Sequence, residues 1–180
     1  MLANLRALLA VIVDIVLLRR GPDSLPSSRV LLFAFVLLYL VVVGLSLVAL
    51  PKPPTLWPVQ LLTGTFVLLL SYHLAFTAAR KRERFLQTLT AVFAVSALFA
   101  PALTPMVSAV VQQSAQPQTA SGALLILTMG IGVWMFVIQI RIVRAALEWP
   151  VLGIIIFICA QELLGAIIFV MLFGAPTSTV

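Results

Sequence analysis

From Arg29 to Phe173 the chain is a succession of long apolar runs broken only by short polar stretches, and this pattern most narrows the folds open to it. A run of about twenty apolar residues matches the thickness of a bilayer's hydrocarbon core, and within lipid a helix satisfies every backbone N–H and C=O of such a segment. Five runs are long enough: Val30 to Leu50, Leu56 to Ala79, Phe85 to Val111, Gly122 to Ile140, and a fifth opened by Trp149 and Pro150 that reaches Phe173. The expected fold is therefore all-α, an integral membrane bundle of five transmembrane helices in residues 29–174. An interfacial helix and turn (residues 1–28) precede it, and a short outer tail (175–180) follows. A mean hydropathy of +1.22 agrees, because so oily a chain buries its surface in lipid rather than in one water-excluding core.

Orientation follows from charge. Arg80-Lys81-Arg82-Glu83-Arg84 is a dense basic cluster on a short connection between two membrane-length runs, and such clusters stay on the cytoplasmic side. With that loop inside, Arg6, Arg19, Arg20, Arg29, Arg141 and Arg144 also fall inside, and Lys52 alone falls outside. Gln112 to Ser121, polar but uncharged, suits an outer loop. The amino terminus is thus expected in the cytoplasm and the carboxyl terminus outside. The net charge of +6 would fit nucleic acid only if it formed an aqueous basic face. Here the cations sit at the ends of apolar runs. Membrane lipids, through anionic headgroups at Arg80, Lys81, Arg82 and Arg84, are the expected partners, and nucleic acid is not.

Residues 1–20 have the length of a signal peptide, but Asp14 interrupts the apolar stretch and no small-x-small cleavage pattern follows. Arg6 and Asp14 also leave too few uninterrupted apolar residues for a span. The expectation is a helix lying at the interface, with Arg6, Arg19 and Arg20 reaching toward headgroups. Gly21-Pro22 and Pro26 end it, and Ser27 or Ser28 can cap the next helix.

Three features carry possible chemistry. Glu162, preceded by Gln161, falls roughly 18 Å beyond Pro150, near the midplane, where an ionised carboxylate is costly. It reads as a proton or cation relay, a contact with another membrane subunit, or a side chain bonded to a neighbouring helix. His73 lies in the inner half of the second span, with a satisfied bundle-facing imidazole, a bond to Glu162 or a proton path as its readings. In the third span Thr88, Ser96, Ala100, Thr104 and Ser108 share one stripe. Small residues and hydroxyls there favour close helix packing, within the bundle or against a partner. Pro101 and Pro105 are expected to kink that helix near its outer end, and Gly130 and Gly132 permit close packing in the fourth span.

No phosphate-cradling glycine loop, zinc-protease motif or nucleophile elbow occurs in the sequence. Cys159, the single cysteine, excludes an intramolecular disulfide and a cysteine-based metal cluster. No enzymatic activity, cofactor or metal is expected. An amino-terminal helix, the turn GPDSLP (Gly21 to Pro26) and five closely spaced spans resemble the layout of bacterial Yip1-like membrane proteins. That resemblance implies five spans with the amino terminus inside a bacterial inner membrane, and a role in membrane organisation or as a partner of other membrane proteins. The tyrosine- and glycine-containing motifs of the eukaryotic members are absent, so it assigns no functional residue. The expected function is a non-enzymatic accessory or scaffold protein that binds another membrane protein, or a second copy of itself, through spans three and five. The alternative is a small transporter or lipid-handling protein using Glu162, His73 and the kinked third span.

Overall fold

The structure is a computed structural model that describes residues 2–51, 53, 56–114 and 122–174. Lys52, most of the polar loop 112–121 and the tail 175–180 lie outside the described residues. Six helices follow one another: α1 Leu2–Val16, α2 Arg29–Val48, α3 Trp57–Ala78, α4 Phe85–Ser114, α5 Gly122–Leu147 and α6 Val151–Phe173. No strand occurs among the described residues. The five helices α2 to α6 are each long and apolar enough to cross a membrane, which makes this an all-α integral membrane protein.

Local chemistry sets the helix ends. Ser28 caps α2, its hydroxyl accepting the Leu31 N–H at 3.3 Å. Proline opens α3, and Pro150, with φ −60° and ψ 147°, directs the chain into α6. Three helices close on a left-handed residue that is not glycine: Leu18, Arg80 and Glu148. After α3, Arg80 N–H donates to Thr77 O and Lys81 N–H to Phe76 O, the paired bonds of a Schellman cap. The end of α1 repeats this pattern at Leu18 and Arg19, and α5 closes with the single bond from Glu148 N–H to Arg144 O.

Helix α5 runs about two turns past the boundary expected at Ile140. Arg141 and Arg144 are helical residues, and cations in a last turn interact favourably with the carbonyl end of the helix. Pro101 and Pro105 both lie inside α4, which continues through them as one helix to Ser114.

The helices α2, α4, α5, α6 and α3 form a closed circuit of neighbours, and α3 also touches α4. Of the most apolar stretch of each helix, 44% is buried for α4, 28% for α3, 11% for α6 and 6% each for α2 and α5. Every residue of α4 from Thr88 to Val95 is buried, so these two turns are enclosed on all sides. Tyr39 of α2 packs edge-on against Phe93 of α4 at 5.3 Å, and Tyr72 of α3 against Phe157 of α6 at 5.4 Å. Since lipid tails are as apolar as leucine, this contact energy is mainly close packing, not exclusion of water.

Burial is concentrated at the end that carries the basic loop, hereafter the basic end. Past Ala100 in α4, before Ile138 in α5 and after Ile158 in α6, none of the residues with described side chains is buried. At the far end α2 and α3 stay close at Gly44, where a Cβ would lie 3.0 Å from the Trp57 ring.

Helix α1 lies against α4, burying Ile12 and Ile15. The turn after it buries Leu25, whose carbonyl accepts the Gln87 side-chain amide at 2.7 Å. Arg20, expected to reach toward headgroups, pairs with Asp14 at 3.1 Å while its side chain stays exposed.

Candidate functional site

At the basic end the loop between α3 and α4 is tied to the corner between α5 and α6. Lys81 Nζ and Arg84 Nη1 engage opposite oxygens of the Glu148 carboxylate, the latter at 2.6 Å, and Arg84 also donates to Ala145 O at 3.0 Å. Two cations on one carboxylate hold Glu148 below the usual carboxylate range, the Lys81 hydrogen bond contributing most. Of the basic loop, Lys81 and Arg84 are therefore occupied within the protein. Arg80 and Arg82 are exposed and make no ion pair among the described residues. Sequence reasoning missed Glu148. The available signal was its parity: an acid on the connection after the fourth span shares a side with the basic loop after the second.

Glu162 lies three turns into α6, roughly 17 Å from its start and so near the centre of a 30 Å hydrocarbon core. It is exposed, just beyond the last buried residue of the helix, and its one described hydrogen bond is a long one, from Gln161 Nε2 at 3.4 Å. Gln161 lines a groove of about 360 Å³ between α3 and α6, together with Ser71, Ala75, Ala78, Trp149 and Ala160.

His73 is not brought to Glu162. It sits in the last two turns of α3, nearer the basic end, exposed and edge-on to Phe85 at 5.7 Å. Neither the bundle-facing position expected for it nor a bond to Glu162 is present, because the neighbouring Tyr72 takes the inward face and is 1% exposed. In the small-residue stripe of α4, Thr88 and Ala100 are buried, while Ser96, Thr104 and Ser108 are half-buried. The Thr88 hydroxyl donates to Arg84 O at 2.8 Å and that of Ser108 to Pro105 O at 2.8 Å. These hydroxyls are satisfied on their own helix and do not bond across to another.

Comparison of the chain with family models, with curated proteins and with solved structures finds no match.

Proposed function

We propose that this protein is a non-enzymatic accessory or scaffold protein of a bacterial inner membrane, and that it holds a helix of another membrane protein against the far half of α6. The observation that carries this reading is Glu162, a carboxylate at mid-membrane depth, exposed on a half-helix that buries nothing. A polar group facing hydrocarbon is costly, and a partner helix offering a donor offsets that cost. The far half of α6 supplies the surrounding apolar surface, with Leu163, Ile167 and Met171 exposed. The far half of α4 is open as well, but it carries no carboxylate, so α6 is taken as the primary contact of the two spans, three and five, expected to bind a partner.

Photo-crosslinkers placed at Leu163 and Ile167 in native membranes test the reading. A discrete adduct is expected, retained in Glu162→Gln, whose amide keeps an acceptor and a donor, and lost in Glu162→Leu. An adduct indifferent to both substitutions, or none at all, would overturn it. A second reading, transport, draws on the mid-membrane depth of Glu162 in the less enclosed half of the bundle. It requires Glu162→Gln to be as inactive as Glu162→Leu while accumulating normally.

A further inference from the structure

The last two turns of α5 carry Arg141 and Arg144, three residues apart and therefore on one face of the helix. Both are exposed, and neither guanidinium has a partner among the described residues. Just beyond them the left-handed Glu148 turns the chain, and Trp149-Pro150 start α6. The corner encloses a cleft of about 830 Å³ lined by Val137, Ile140, Arg141, Arg144, Trp149 and Val151, among others. Glu148 also lines it, but its carboxylate is already engaged by Lys81 and Arg84, which leaves Arg141 and Arg144 as the cations of the cleft without a described counter-charge. Pro150 and Val151 at the start of α6 also line the cleft, and the first N–H groups of that helix have no side-chain cap. Such groups favour an anion.

The cleft's depth fixes what can fill it. Leu147 and Val151 mark the ends of two spans; Arg144 lies within one turn of that end and Arg141 about 9 Å before it, a distance its long side chain can span toward the headgroups. Val137 lies one turn deeper than Arg141, and Ile140 one turn deeper than Arg144. Trp149, half-buried and edge-on to Phe157 at 6.4 Å, is an aromatic at the interface, where its apolar body and polar N–H both find partners. A cationic mouth over an apolar wall matches an amphiphile, not a soluble ion. We propose that this cleft binds one anionic phospholipid, its phosphate between Arg141 and Arg144 and an acyl chain along Val137 and Ile140. Guanidinium is suited to this role because its planar fork donates two parallel hydrogen bonds to phosphate. This site is distinct from the loop Arg80 to Arg84, half of whose cations are already paired, and it does not depend on the partner proposed for α6.

The test uses the full chain with Trp57→Phe and Trp134→Phe, which leaves Trp149 as the only fluorophore of its kind, in phosphatidylcholine vesicles containing phosphatidylglycerol. Either lipid is supplied with brominated chains, which quench a tryptophan they touch. Brominated phosphatidylglycerol is expected to quench Trp149 with an association constant roughly thirtyfold above that of brominated phosphatidylcholine, on the basis of about 1 kcal/mol for each of the two interfacial arginines. Arg141→Gln together with Arg144→Gln should remove the preference; Arg80→Gln together with Arg82→Gln should leave it. Both arginines of the first pair are exposed and have no partner among the described residues, so their loss is expected to leave the fold intact, and the wild-type preference is a separate readout. Equal quenching by the two lipids, or a preference that survives loss of Arg141 and Arg144, would overturn the site. Displacement by millimolar inorganic phosphate would overturn it too, assigning the cleft to a free anion.

Discussion

Glu148 concentrates much of the basic end in one side chain. Its backbone adopts φ 57°, which an ordinary residue occupies at a cost of about 1 kcal/mol, and glycine would fill that position without strain. What favours glutamate there is the carboxylate, which bridges Lys81 and Arg84 and so ties the α3–α4 loop to the α5–α6 corner. The two cations lower its pKa in the folded protein below its ordinary value. A carboxylate so depressed stabilises the fold fully above its unfolded pKa, and that contribution is lost as pH falls through the folded value. The wild type should therefore lose thermal stability below the usual carboxylate range, whereas Glu148→Gln starts lower and lacks that component. Tryptophan fluorescence melts in detergent between pH 7 and pH 3, taken as the difference between the two proteins, isolate the effect from other acids. Parallel curves would show that the bridge is not formed in solution.

At the scale of helices, the spans were legible and their arrangement was not. Twenty apolar residues fix a membrane helix because lipid offers the backbone no other partner. They do not say which helix lies in the middle. In water the most apolar element is the core, but here α2 has the highest mean hydropathy, 2.9, with 6% of its apolar stretch buried, while α4 at 1.7 is the most enclosed. Helix α3, at 1.6, ranks second in burial. The two least apolar spans are the two most buried, because close packing uses alanine, glycine and hydroxyl residues where lipid contact uses leucine. The stripe through Thr88, Ser96 and Ala100 was thus a usable sign of the central helix. The face of His73 was not legible, because composition does not say which of two adjacent residues, about 100° apart on the helix, turns inward; Tyr72 does. Gly44 gives an element-scale test of packing. Its missing Cβ lets α2 approach the Trp57 ring, so Gly44→Ala should require that ring to shift by a few tenths of an ångström, and Gly44→Leu should force α2 and α3 apart. The expected losses in detergent melts are small for alanine and about 1–3 kcal/mol for leucine. Leu45→Ala, at a residue 66% exposed, is the matched control and should be near neutral. Equal effects at Gly44 and Leu45 would mean that the two helices do not meet there.

For the whole molecule, the open question is which way the closed end faces, and charge answers it. The basic end gathers Arg29, Arg80, Lys81, Arg82, Arg84, Arg141 and Arg144, and the turn after α1 docks beside the start of α4 at the same end. Lysine and arginine are retained on the cytoplasmic side of short loops, so this end is expected inside. Helix α1 decides the parity. Its fifteen residues, roughly 22 Å long, fall short of a 30 Å core, and Ile12 and Ile15 pack on α4 instead of facing lipid. The amino terminus is then expected inside with the basic loop, and an odd number of spans leaves residue 174 outside. A Cys159→Ala background, which removes the native thiol, allows single cysteine reporters to read this arrangement in intact cells. Gln118→Cys should react with a membrane-impermeant maleimide from outside, Glu83→Cys only after permeabilisation, and a tag fused at Met1 should likewise be protected. Outside access to the tag alone would show that α1 crosses the membrane. Reversal of both cysteine reporters would overturn the orientation and place the Arg141–Arg144 cleft in the outer leaflet, where it would have to draw its anionic lipid.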